Sequence, residues 1–486
     1  MRLQSLVLAL GLALSLALAA YAQQPQPGKA VASPVDPAQA AKKDAPPAAP
    51  PVPGVRVEVR LSPDAVIAVP PALRAAFPKG LTQGMGFGLN CALTQPSGFM
   101  IFHGVTGRGP VFAGPMLQQA GGVAPSAIFA VPEYTPQVVS LKVTRQSAEP
   151  LAFLPLKDSL GTAMRCLPPG PEKPGAPVEV PLDCALKPLA FDAKGVDPQG
   201  VAQDHKRTSL WVCDGYGPAL YRLDMGTGVI REAVRPGAGL PMLLNGRARP
   251  GAGFNGVCVT PSGLVVTIYH APWEEEGVRG IFTRMVEYDP ESQRVRQFAY
   301  PLEMDGYKEG REIHTGAILN VDENRYLVLE QSRAGEGPWE SRVYAADTTQ
   351  AVSINTLKTA DGKALETVTI PALWAKDHVR MARKTLVLDL NAAGWTGREA
   401  ESMALLPDGR TLAVMAGGGF GMQAVVENPG LDAGGKPVTA PEAYVLDGSG
   451  VLRLNGEPTK AGITLKPVRD TPELWLFAMP RAAKEY

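Results

Sequence analysis

The 486-residue chain has no charge bias, no long apolar span beyond its first residues, few aromatics and none of the common catalytic signatures. Lysine plus arginine equals aspartate plus glutamate at 47 each, so no broad field of either sign recruits nucleic acid or anionic lipid, and neither is expected as a partner. Helical periodicity is brief, with short stretches near Ala72 and Lys376 the best candidates, and aromatics are only 6% of the chain. There is no G-x-S-x-G elbow, no H-E-x-x-H helix, no G-x-x-x-x-G-K-[ST] loop and no C-x-x-C pair. The run from Gly251 to Gly256 formally fits G-x-G-x-x-G, but it leads into strand-like VCVTPSG where a dinucleotide fingerprint must open a helix.

What is present is an address label, a spacer and a great deal of turn chemistry. Arg2, the apolar run Leu6 to Ala19 and Ala20-Tyr21-Ala22 read as a signal peptide over residues 1–22, too short to span a bilayer. The protein is therefore expected to be exported, periplasmic or secreted, without a membrane span. Residues 23–54 hold nine Pro and eight Ala and read as a disordered tether. Export places the five cysteines in an oxidising compartment. Cys166 and Cys184 flank a Pro/Gly-rich loop, so a local disulfide is expected there, worth about 3 kcal/mol if unstrained. Cys213 and Cys258 fit either a second bridge or two buried small hydrophobes.

From Val55 onward, short alternating apolar stretches are punctuated by Pro-Ser-Gly, Asp-Gly and Gly-Ser-Gly, and 52 Gly with 47 Pro suit many short strands. The stretches echo one another. GLNCALTQPSGFMIFHG, QGVAQDHKRTSLWVCDG, NGVCVTPSGLVVTIYHA, TGAILNVDENRYLVLEQ and ESMALLPDGRTLAVMAG each pair an alternating strand with a strongly apolar one, and segments such as YRLDMGTGVIREAV follow as outer strands. Four antiparallel strands repeated at tens of residues describe an all-β protein, a β-propeller over residues 55–486. Adjacent starts at Gly200, Gly256 and Gly316 lie 56 and 60 residues apart, giving about seven four-stranded blades, with six or eight also allowed. A two-domain β-sandwich is the rival architecture.

If the first strand of each pair lines a channel and the second returns antiparallel, its start and its partner's end share one mouth. That groups Gln199 with Asp214, Asn255 with His270, Thr315 with Glu330 and Glu401 with Ala416, joined by His103 and Arg108; His314 also maps close by. Asp214, Glu330 and Glu401 are carboxylates of the kind calcium takes, and Arg108, Arg333 and Arg342 carry planar forks for a phosphate or carboxylate. The competing reading is that these charges cap strand ends or pair with one another.

Several segments resemble the phytase-like esterase family of exported propellers: DPQGVA from Asp197, LWVCDGYGPALYRLD from Leu210, FNGVCVTPSG from Phe254, YLVLEQSR from Tyr326, RVYAADTTQA from Arg342, KTLVLDL from Lys384, ESMALLPDGRTLAVM from Glu401 and GRGP from Gly107. The resemblance runs in order from about Gly80 to Gly421 and implies a metal-assisted phosphoester or ester hydrolase, expected to act as a monomer on a small anionic or ester substrate. Carried onto this chain, it implies Glu401 and Glu330 as catalytic residues, Asp214 with both as Ca2+ ligands, and Arg108, Arg333, Tyr216 and His270 as substrate contacts. Gln199, Asn255 and Gly215 stand where the family pattern usually has acids, and of its Asp-Asn-Asp-Phe-Gly run only the end is similar, at Gly418 to Gly421. Neutral amides weaken a calcium site, so the rival functional reading is a non-catalytic propeller that binds a ligand or envelope protein at the same mouth. A lactonase-like propeller is a third.

Overall fold

The stretch SLWVCD, Ser209–Asp214, is buried along its whole length, as a strand flanked on both edges and covered on both faces must be. In the computed structural model it is the second of four consecutive antiparallel strands, and that pattern recurs. The structure describes residues 52–61, 66–94, 98–119, 122–171, 178–245, 251–302, 312–334, 337–369 and 379–486. The expected signal peptide and nearly all of the expected tether lie outside the described residues.

Blade 1 comprises Phe87–Thr94, Met100–Val105, Gln137–Val143 and Ser147–Pro155; blade 2 comprises Pro198–Gln203, Ser209–Asp214, Ala219–Asp224 and Ile230–Pro236. Blade 3 is Phe254–Val259, Val265–Tyr269, Phe282–Tyr288 and Val295–Pro301; blade 4 is Glu312–Asn320, Arg325–Arg333, Glu340–Asp347 and Arg383–Asp389. Blade 5 takes Ser402–Leu405, Thr411–Ala416 and Glu473–Ala478 from the end of the chain and Val55–Val59 from its beginning. Val57 registers with Leu474 antiparallel, while Glu58 lies beside Ser147 of blade 1 in parallel.

The first strands of blades 1 to 5 touch one another in cyclic order, the last touching the first. Apolar clusters fill the wedges between neighbours: Val201 with Val138, Trp211 with Tyr288, Tyr300 with Val328, Leu329 with Val414, and Met415 with Phe102. The burial of whole aromatic and aliphatic side chains in these wedges, at roughly 1.5–3 kcal/mol each, holds the ring together. Around the axis backbones meet without side chains. A Cβ on Gly88 would sit 2.3 Å from the Gly200 Cα, and one on Gly200 would sit 2.8 Å from the Gly256 Cα. Both Gly88 (φ +53°) and Gly256 (φ +111°) also hold left-handed conformations that favour glycine.

The strand spacing predicts about seven blades, and the ring has five, because the remaining chain builds a lobe on one face. Connections 106–136, 156–197 and 417–472 all leave from the side where the inner strands begin. They supply the sheet of Val111–Ala113, Ser126–Phe129 and Val180–Leu182, and the pair Met422–Glu427 with Gly462–Pro467. Met116–Gln119 joins Val445–Leu446 in a further sheet, over a core that includes Leu73, Phe77, Tyr444 and Leu465. Short strand-and-turn text reads the same whether it forms a blade or a lobe, so repeat length alone overcounts.

All five cysteines are free, which corrects the expected Cys166–Cys184 bridge. Cys166 is buried with Tyr134 and Phe420, whereas Cys184 packs at the edge of the separate Leu73–Tyr444 cluster. Cys213 and Cys258 fill different wedges. Among the described residues no helix is long and apolar enough to cross a membrane.

Candidate active site

The strand pairs place their ends as their alternation demands: Pro198 faces Asp214, Phe254 faces Tyr269, Thr315 faces Glu330 and Ser402 faces Met415. At that end of the ring lies a cavity of about 340 Å³ lined by Arg108, Gln199, Asn255, His270, Gln331, Glu399 and Glu401 together with Phe87, Val111, Phe254 and several glycines. The lobe contributes Arg108 and Val111, so the cavity is bounded by ring and lobe together.

Glu401 is the expected residue that the geometry favours most. Its carboxyl accepts the Gly417 N–H at the start of the lobe connection. Burial and the neighbouring Glu399 charge push it up to about 8, against the pull of the Gly417 N–H and Arg398. At pH 7 this favours its neutral, proton-holding form. His270 accepts from the Asn255 amide at Nδ1 (2.8 Å) and stacks on His314 with ring centroids 4.3 Å apart. In the neutral ring this arrangement leaves the proton on Nε2. His314 is buried, edge-on to Trp339, with Nε2 3.6 Å from Glu399. Arg108 pairs with Glu179 through both terminal nitrogens and lies over the Tyr216 ring at 5.8 Å from its centroid.

The other expected residues are elsewhere. Glu330 is fully buried and paired with Lys384 of the fourth strand of its blade, whose ammonium also sits over Tyr344 and donates to the Pro301 carbonyl. Its neighbour Gln331 is the one that reaches the cavity, because successive strand residues face opposite sides and the ladder shifts register between Thr315 and Ala317. Asp214 points inward, accepting the N–H groups of Asp197 and Tyr216 and the Tyr221 hydroxyl, all at 3.0 Å. Burial pushes it up to about 7 despite those bonds. Arg333 is exposed and stacked on Trp339 at 4.6 Å, Arg342 pairs with Asp389, and the Tyr216 hydroxyl donates to the Cys166 carbonyl. His103 is buried against Ser140, His205 is exposed, and His378 lies outside the described residues.

These positions do not fit a calcium ion held by Asp214, Glu330 and Glu401. The Asp214 oxygens are taken up by three donors of the chain and Glu330 pairs with a lysine, so of these three carboxylates Glu401 is the one at the cavity. Among the described residues no group of three His, Cys, Asp or Glu side chains is placed to hold a metal. Reading the strands did not single out Glu399 and Gln331 as cavity residues. Glu399 sits two residues ahead of the recognisable ESMA strand start, in a connection without a repeat signature.

The described residues thus form an all-β propeller-like ring with a polar, acid-bearing cavity at one mouth, its lining side chains converging from different blades. The chain belongs to the phytase-like family: residues 134–416, from just before the third strand of blade 1 to the end of the second strand of blade 5, match the family described as "Phytase-like: Esterase-like activity of phytase". Arg108 lies ahead of the matched span. No curated protein sequence matches the chain. Among solved structures, it is similar to a periplasmic gluconolactonase of Pseudomonas aeruginosa, with 11% identity, TM-score 0.30, and coverage of 76% of this chain and 86% of that one. A Lactobacillus plantarum protein aligns at 11% identity and TM-score 0.28 over 80% and 99% of the two chains. A putative 6-phosphogluconolactonase of Bacteroides uniformis aligns at 11% and 0.28 over 77% and 87%. At such scores the chemistry of those proteins does not transfer to this chain.

Proposed function

We propose that the protein is a hydrolase of a small ester and that the cavity at the mouth of the ring is its active site. The observation that carries this reading is the pairing of Glu399 with Glu401 in one cavity, where burial keeps the second carboxyl protonated up to about pH 8. A buried carboxyl that holds its proton supplies an acid, and the second carboxyl of the same cavity is assigned the part of the base. Glu399 takes a proton from water, the hydroxide adds to the ester centre, and Glu401 gives its proton to the departing alkoxide. The products are an acid and an alcohol, and solvent returns the proton from Glu399 to Glu401. Arg108 and the Nε2–H of His270 donate to the oxygen on which charge develops. Among the described residues Asp214, Glu330 and Glu401 do not come together as a donor set for the calcium expected from the family resemblance, so no step runs through it.

The test is turnover of aryl acetates and aryl phosphates by the full-length protein, each with and without a chelator. Glu401→Gln is expected to lower kcat by about 100-fold or more, and wild-type activity to fall as pH rises through about 8, where Glu401 loses its proton. Retention of full activity in that variant places the chemistry elsewhere. The non-catalytic reading is favoured by the amides Gln199 and Asn255 and by the Glu179 partner of Arg108; absence of turnover with every ester alongside measurable ligand binding would establish it.

A further inference from the structure

The amides at the mouth have fixed orientations. Gln199 Nε2 donates to Asp197 Oδ1 at 2.7 Å, and Asp197 is itself buried under the mouth. Asn255 Nδ2 uses its hydrogens on the Thr315 carbonyl and on His270 Nδ1, both at 2.8 Å. A backbone carbonyl and a carboxylate can only accept, so each amide must turn its NH2 toward the protein. Gln199 Oε1 and Asn255 Oδ1 are then the atoms left for the cavity, and among the described residues no donor of the protein reaches them. Gln331 differs, with both its nitrogen and its oxygen engaged by the Ala400 backbone. The charges point the same way. Glu399 and Glu401 face the cavity, and the guanidinium of Arg108 is already matched by Glu179.

Resting on the reading of this cavity as an ester-hydrolase site, we propose that its substrate is an uncharged ester of a polyhydroxylated alcohol of single-sugar size, whose hydroxyl groups donate to Gln199 Oε1, Asn255 Oδ1 and Glu399. A wall rich in acceptors and poor in unmatched cations takes hydroxyl donors. A polyphosphate would bring several negative charges to one paired arginine and two carboxyl groups. A cavity of about 340 Å³ takes one ring and its acyl group. Asp197 acts as a positioning residue, turning the Gln199 oxygen outward.

The experiment compares three substrates on the full-length protein: a glucose 6-O-acetyl ester, cyclohexylmethyl acetate as its hydroxyl-free counterpart, and glucose 6-phosphate. Three hydroxyl contacts predict a kcat/KM roughly 100-fold higher for the sugar acetate than for its counterpart, with the phosphate slowest. Calorimetric titration with glucitol, which cannot be hydrolysed, is expected to give saturable heat, abolished in Gln199→Met. Aryl acetate turnover without preference for the sugar ester, and without glucitol heat, overturns the substrate class while leaving the hydrolase reading intact. Glucitol heat without turnover of any ester overturns the hydrolase reading. Saturable calcium heat that competes with glucitol, or preference for the phosphate, also overturns the proposal.

Discussion

Lys384→Met separates a structural Glu330 from a catalytic one. The Lys384 ammonium and Glu330 carboxylate are paired with side-chain exposures of 9% and 0%, at the boundary between blades 3 and 4. Removing the lysine takes its cation away from a carboxylate that is fully buried, which costs about 3–5 kcal/mol in comparable buried pairs. Loss of the ammonium from over Tyr344 (4.1 Å) and Tyr300 (5.1 Å) adds up to about 2 kcal/mol, while the methionine retains most of the stem's packing. The two together give an expected loss of about 3–7 kcal/mol, a fall in Tm of about 3–8 °C if residues 51–486 unfold together. The double variant Lys384→Met, Glu330→Met exchanges both charges for apolar groups and is expected to recover most of the loss and to keep wild-type ester turnover. Urea unfolding followed by tryptophan fluorescence measures the first quantity and kcat/KM the second. Unchanged stability in the single variant, or a folded double variant without turnover, would refute the structural assignment.

Three further perturbations test other parts of the argument. Gly200→Ala forces a methyl to within 2.8 Å of the Gly256 Cα and 2.9 Å of Cys213 Sγ at the axis, and is expected to cost about 1–3 kcal/mol in the urea midpoint. Arg333→Ala removes only an exposed guanidinium from Trp339, so kcat/KM is expected to stay within about twofold, contrary to the substrate role that the resemblance implies. Asp214 is raised to about 7 in the fold, so the folded state binds its proton more tightly than the unfolded chain does. Its contribution is complete below the ordinary aspartate range and declines as pH rises toward 7; the pH dependence of the urea midpoint is expected to flatten in Asp214→Asn.

Much of this molecule is legible in its text. Alternation and turn residues locate the paired strands of every blade, and antiparallel pairing alone puts Gln199, Asn255, His270 and Glu401 at one mouth. The legibility stops where one residue's direction or one distant partner decides. Glu330 and Gln331 differ by one position and face opposite ways because of a register shift at Gly316. Asp214 is withdrawn by Tyr221 and Arg108 is matched by Glu179, partners on other strands or in the lobe that no local pattern announces. The cysteine pairing fails for a related reason: the flanks of a loop can enter separate cores.

Blade 5 draws three strands from the end of the chain and its fourth from Val55–Val59, which also abuts blade 1. Synthesis runs from the N-terminal side, so Val55–Val59 waits for Glu473–Ala478, made more than 400 residues later, before it finds its antiparallel partner. The register of blade 5 is set when Val55–Val59 and Glu473–Ala478 meet, so the ring closes on a seam made of strands more than 400 residues apart in the chain.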